Sequence, residues 1–209
     1  LLPTGREDYL TLLSELRAGL EPNGYLSVAG QRLWLLPTPL APLPKLSEFI
    51  WDAAYLRAVA ARVDQVAVMT YDSALPLPNL FIKYQQAQTR ALIEALAGAG
   101  DVELLVGVPT YNDKRWNFNA AAENMGSGLQ GVIEGLQGLP ERKPFAGVAI
   151  YAHWTTGEQQ WQTYQRMWLG QYTSWRRRGL ISPRRSRGRR RRKRRARWPR
   201  RRRGRGSSG

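Results

Sequence analysis

Two hydrophobic periods alternate along residues 1–175. Tyr9, Leu12, Leu13, Leu16 and Leu20 recur at helical spacing, and Thr4-Gly5-Arg6-Glu7 has the form of a capping box opening that helix. Gly24 follows the helix, and Tyr25-Leu26-Ser27-Val28-Ala29 reads as a strand. After a proline-rich loop, Leu56, Val59, Ala60 and Val63 mark one face of a second helix. Gln65-Val66-Ala67-Val68-Met69-Thr70-Tyr71 is then a nearly continuous apolar run, as expected of a strand buried on both faces. The cycle repeats. Gln88, Ala91, Leu92, Ala95 and Leu96 predict a helix ending at Gly98 and Gly100, and Val102 to Val108 predict a strand closed by Pro109. Ser127-Gly128-Leu129-Gln130 is predicted to cap a helix with Leu129, Val132, Ile133 and Leu136 on its inner face. Phe145 to Tyr151 form the last predicted strand, and Trp161, Tyr164, Gln165 and Trp168 a final helix in which Trp161 and Trp168 serve packing.

Strands alternating with helices imply parallel pairing through right-handed crossovers. An open doubly wound sheet and a closed barrel both satisfy that alternation. Neither G-x-G-x-x-G nor G-x-x-x-x-G-K-[ST] follows any strand, which weighs against a nucleotide-binding sheet. Polar and aromatic residues gather instead after strand C-termini: Tyr71-Asp72, Tyr111-Asn112-Asp113 and His153-Trp154. In a barrel those ends share one mouth, where chemistry is placed. The barrel is therefore the expected closure. Only about four βα units are visible where a barrel needs eight. The expected fold class is thus α/β, the C-terminal half of a (β/α)8 TIM barrel over residues 1–175, with the other half preceding Leu1.

At these strand ends the chain resembles glycoside hydrolase family 18, the chitinase-like barrels. Met69-Thr70-Tyr71-Asp72 is similar to the M-x-Y-D motif of that family's sixth strand. Val106-Gly107-Val108-Pro109-Thr110-Tyr111 is similar to its seventh-strand G-[IVL]-P-x-Y pattern, and Gly147-Val148-Ala149-Ile150-Tyr151 to its eighth strand. Order and spacing agree over roughly residues 1–170. The resemblance implies substrate-assisted hydrolysis of N-acetylated amino-sugar glycans, in which the substrate's own acetamido oxygen attacks the anomeric carbon. It assigns Tyr71 to the acetamido oxygen through its hydroxyl, with Asp72 in polar contact nearby. Met69, Tyr111, Asn112, Tyr151 and Trp154 become candidates for lining the sugar site, since aromatic faces suit pyranose rings. Two departures stand out. The family usually carries tryptophan where this chain has Tyr151, with Trp154 three residues later. No D-x-x-D-x-E, the signature whose last glutamate is the general acid, occurs anywhere in the chain. The resemblance thus implies a fragment that binds carbohydrate but is inactive alone. Without it, Tyr71 also reads as a buried tyrosine with a satisfied hydroxyl, and Asp72 as a turn former before Ser73, Pro76 and Pro78.

Composition narrows the chemistry further. The chain has no cysteine, which removes disulfides, thiolate metal sites and thiol nucleophiles. A single histidine, His153, leaves no multi-histidine metal site and reads as a polar rim residue; no cofactor is expected. No apolar run reaches membrane-spanning length, the longest being cut by Pro37, Pro39, Pro42 and Pro44. No signal peptide is evident, so the compartment stays open.

The net charge of +16 belongs to one end only. Residues 176–209 hold 18 Arg and Lys193 and no acidic residue, leaving the body at −3. So much like charge with so little apolar surface predicts a disordered tail. Two readings of it stay open. One is a polyanion or nucleic-acid arm centred on Arg189, Arg190, Arg191, Arg192, Lys193, Arg194 and Arg195, neutralising phosphates without sequence preference. The other is out-of-frame translation of a GC-rich gene, which yields this Arg, Gly, Ser and Pro mixture. The expected partners are a carbohydrate, a polyanion through the tail, and, because half a barrel leaves open strand edges, further copies of the chain in oligomers or aggregates.

Overall fold

The computed structural model describes residues 3–35, 50–113 and 115–171. The proline-rich loop and the whole arginine-rich segment, with its candidate anion contacts Arg189–Arg195, lie outside the described residues. Among the described residues four parallel strands form one sheet in sequential order: β1 (Ser27–Gln31), β2 (Gln65–Met69), β3 (Glu103–Pro109) and β4 (Phe145–Tyr151). Five described α-helices accompany them: α1 (Pro3–Gly19), α2 (Ala53–Ala60), α3 (Pro78–Ala95), α4 (Met125–Leu136) and α5 (Glu158–Tyr164). The parallel α/β alternation read from the sequence is therefore present.

Several boundaries move for local reasons. Helix α1 already begins at Pro3, whose missing N–H would have had no helical partner, so Thr4 is not its cap. Strand β1 starts two residues later than predicted. The Leu26 amide is taken by the Asp64 carboxylate at 2.9 Å and Tyr25 donates its hydroxyl to Glu103 at 2.7 Å, so pairing begins at Ser27 opposite Gln65. Helix α4 is capped by Asn124, which accepts from the Ser127 amide at 3.2 Å; Ser127 itself lies inside the helix. The last helix widens into a π turn over Gln165–Leu169. Trp168 there is buried against Phe145 (centroids 6.1 Å apart), whereas Trp161 is 37% exposed and does not pack into the core as expected.

The main core occupies one face of the sheet. Leu10 and Leu13, Leu56 and Val59, Leu92, and Leu129 and Val132 come from successive helices onto Val66, Val68, Leu104, Val106 and Val108. Helices α3 and α4 approach so closely that a Cβ at Gly131 would sit 2.6 Å from both Gln85 Cβ and the Ile82 carbonyl oxygen. The other face carries the alternate positions. Ser27, Ala29 and Tyr151 are exposed there, and Gln65, Ala67, Met69, Leu105 and Ala149 are only partly buried. The expectation that the second strand is buried on both faces fails on that side, because the described helices pack on the opposite one. Across its N-terminal edge runs a polar ladder: Ser27 Oγ donates to Gln65 Oε1, and Gln65 Nε2 to Glu103 Oε2, each at 2.9 Å.

Candidate functional site at the strand ends

Parallel strands in sequential order deliver their C-terminal ends to one side, and the side chains following them meet there. Tyr71 follows β2, Tyr111 follows β3 and Tyr151 ends β4. The Tyr71 ring stacks on Tyr151 (centroids 5.4 Å, planes 17° apart) and meets the edge of Tyr111 at 5.9 Å. Phe118 stacks on Tyr111 at 4.2 Å, and Met69 packs against this group. Gly107 in β3 makes room for it: a Cβ there would stand 2.9 Å from the Tyr71 ring and 2.8 Å from the Val68 carbonyl oxygen. Its own carbonyl accepts from Thr70 Oγ1 and Gln85 Nε2, both at 2.9 Å, which fixes the strand beneath the ring.

The polar groups are arranged around those rings. Tyr111 donates its hydroxyl to the Asp72 carboxylate, and Arg115 stands 4.0 Å from the other carboxylate oxygen, with its guanidinium over the Tyr111 ring. Arg115 also pairs with Asp113. Tyr71 is 6% exposed, yet among the described residues its hydroxyl makes no hydrogen bond and is not sealed from solvent. Burial first, then the neighbouring Tyr151 and Asp72, push the Tyr71 hydroxyl above its ordinary value, so it stays protonated and able to donate. Burial and the bond to Asp72 do the same for Tyr111.

The backbone between these side chains is itself unusual. Asp72 and Ala74 have φ of 59° and 58°, the left-handed region that non-glycine residues seldom enter. Arg32, which follows β1, donates from one guanidinium nitrogen to the carbonyl oxygens of Tyr71 (3.0 Å) and Asp72 (2.9 Å). Gln88 of α3 holds the adjoining Leu33 backbone in both directions, accepting from its amide at 3.0 Å and donating to its carbonyl at 2.8 Å. The fully buried Glu123 accepts from the Ser73 amide at 3.1 Å and from Ser73 Oγ at 3.0 Å. Burial pushes the Glu123 carboxyl up, against the pull of the Ser73 amide and hydroxyl, with the Asp72 charge adding to the rise. A raised carboxyl is the profile of a proton donor, but Ser73 engages both oxygens, so this one acts as a strut.

Of the positions singled out by sequence, Met69, Tyr71, Asp72, Tyr111 and Tyr151 come together. Trp154 reaches the rim: its ring lies 6.0 Å from Tyr151 and the residue is 71% exposed. Asn112 is exposed and makes no described contact with the group. The His153 ring meets Trp154 edge-on at 5.2 Å and no member of the cluster among the described residues. Sequence reading missed Arg32, Arg115, Phe118 and Glu123. Phe118 carries a usable signal, an aromatic in the loop after a strand end, whereas Arg32 and Glu123 act on backbone groups about 40 and 50 positions away.

Among the described residues no cluster of three or more His, Asp or Glu is placed to hold a metal ion, and no helix is long and apolar enough to cross a membrane. Comparison with family models, curated proteins and solved structures returns no match.

Proposed function

We propose that the body is the C-terminal half of a (β/α)8 barrel of the chitinase-like kind and that the strand-end cluster binds N-acetylated amino-sugar glycans. Sequential strand order supports the barrel half: a doubly wound sheet reverses its order at a switch point, and β1 to β4 do not. So does a parallel sheet with helices packed on one face, since all-parallel sheets normally have both faces covered. The observation carrying the sugar reading is the Tyr71 hydroxyl, a protonated donor without a hydrogen-bond partner among the described residues, beside the Asp72 carboxylate. An acetamido group offers the matching pair: its carbonyl oxygen accepts from Tyr71 and its N–H donates to Asp72. Tyr151 and Trp154 supply exposed apolar faces for the ring. Among the described residues the carboxylates near the cluster are otherwise engaged, Asp72 by Tyr111, Asp113 by Arg115 and Glu123 by Ser73, so the role proposed for this chain is binding.

The test is titration of the full chain with N-acetylated chito-oligosaccharides, and with unacetylated glucose oligomers as the control, followed by NMR. Binding of the acetylated series alone, weakened by Tyr71→Phe, is expected. No binding, or binding indifferent to Tyr71→Phe, overturns the reading.

A second reading rests on the charge of residues 176–209, +19 against −3 for the body. There the chain binds polyanions through its arginines, and affinity for any nucleic acid falls steeply with salt. A footprint specific for base sequence and resistant to salt overturns that.

A further inference from the structure

We infer that Arg32 and Glu123 are positioning residues for the strand-end site, a pair of opposite charges that grips the Tyr71-Asp72-Ser73 backbone in its left-handed turn. The inference rests on the sugar-binding reading only for what the turn presents, not for the grip itself.

The chemistry of the grip is complementary at each atom. Carbonyl oxygens carry partial negative charge, and Arg32 meets two in succession, at 3.0 and 2.9 Å. The next amide carries partial positive charge, and the Glu123 carboxylate meets it at 3.1 Å with both oxygens. A cation on consecutive carbonyls and an anion on the following N–H fix the peptide planes on either side of Asp72. That is what a residue at φ of 59° requires, because a left-handed residue persists only where its surroundings over-determine it. The Ala74 amide adds a third hold, donating to the Asn117 carbonyl at 2.9 Å.

The turn decides where the functional groups point. In the extended conformation Asp72 would swing away from Tyr111, whose hydroxyl it now accepts. With Asp72 so engaged, Tyr111 crowds the Tyr71 ring edge-on while Tyr151 stacks on it, and the Tyr71 hydroxyl has no hydrogen-bond partner among the described residues. Neither Arg32 nor Glu123 contacts that hydroxyl, so both act through the backbone. Their origins suit the role: Arg32 is anchored by Leu33 on Gln88, and Glu123 immediately precedes the Asn124 cap of α4.

The experiment uses the full chain with Arg32→Met, Glu123→Ala and Glu123→Gln, and with Tyr84→Phe as control. Tyr84 is buried near both charges but its hydroxyl has no hydrogen-bond partner among the described residues. Amide hydrogen exchange gives a readout independent of any ligand. Glu123→Ala should speed exchange at Ser73 by about tenfold or more, the loss of one charge-assisted bond, while the Val66 and Val68 amides stay protected. Glu123→Gln, which keeps one acceptor without the charge, should restore part of that protection. Arg32→Met should lower chito-oligosaccharide affinity by about tenfold without touching the sugar, and Tyr84→Phe should change neither quantity. Unchanged Ser73 exchange in Glu123→Ala, or failure of Glu123→Gln to restore any protection, overturns the grip, as does unaltered affinity in Arg32→Met. If the wild type binds no chito-oligosaccharide while Ser73 exchange responds as stated, the sugar reading fails and the grip stands.

Discussion

Tyr71 holds a polar tip at the end of a ring enclosed by Tyr151, Tyr111 and the Gly107 backbone. Its contribution to the fold comes from the ring, because no described residue takes its hydroxyl. Tyr71→Phe should therefore leave thermal stability within about 0.5 kcal/mol of wild type while costing tenfold or more in affinity for acetylated oligosaccharide. Thermal unfolding and titration on the same sample check both halves. Glu123 makes the opposite prediction, about stability and pH. Its carboxyl is raised in the folded chain above the ordinary 4.5, so the folded state holds its proton more tightly than the unfolded one. Stability from this group is greatest below 4.5 and declines as pH rises towards the folded value, above which the loss is constant. Glu123→Gln lacks that decline. Chemical denaturation should show the variant gaining on wild type between pH 4 and pH 7; equal pH profiles would contradict the burial argument.

Elements were readable where one periodicity dominated. The buried positions Val66, Val68, Leu104, Val106 and Val108 face the helices, and the runs containing them announced β2 and β3. The strand-end residues were readable as a group for the same reason, since parallel strands in register bring residues at equivalent positions together. Caps were less legible. The Ser127-Gly128 pair reads as a start, while the cap, Asn124, lies three residues earlier with its side chain accepting from the Ser127 amide. The partial exposure of the sheet's second face is not legible in the apolar runs themselves, since an apolar strand reads alike whether a neighbour covers it or not; only the expectation of half a barrel implies it. Two predictions belong at this scale. At the α3–α4 contact Gly131→Leu should destabilise by at least about 1–3 kcal/mol, because backbone and side-chain atoms already stand at 2.6 Å from the added carbon. Denaturant midpoints measure it. At the start of α2, Asp52 caps the Tyr55 amide at 2.8 Å and pairs with Arg6 at 2.6 Å. Burial opposes its ionisation, but the Tyr55 amide and Arg6 prevail and hold the carboxyl below its ordinary 3.8. Its stabilisation is present above that value and lost as pH falls through the folded one, so Asp52→Asn should matter at pH 6 and little at pH 2.

At the scale of the molecule, one face of the sheet and the catalytic question meet. Under the half-barrel proposal, the exposed and partly buried positions from Ser27 to Tyr151, and the outer edges of β1 and β4, unpaired among the described residues, favour association. Sedimentation of the full chain should show mass rising with concentration; a cooperative, concentration-independent monomer would favour a self-sufficient open sheet over half a barrel. The proposed half-barrel bears on turnover as well. Protonating a glycosidic oxygen requires a carboxylic acid that reaches it and whose pKa is raised towards neutrality. Three carboxylates lie near the described strand-end cluster, and each is otherwise engaged. Asp72 accepts from Tyr111 and faces Arg115, Asp113 is half exposed and paired with Arg115, and Glu123 is sealed behind Ser73. General acid catalysis contributes roughly 10²–10⁴-fold, so even a well-bound sugar should persist. The expected result is binding of a fluorogenic chitobioside without turnover above the uncatalysed rate. Appreciable turnover by the wild type, abolished by Asp72→Asn, would mean that Asp72 leaves Tyr111 when substrate enters and serves as the acid itself.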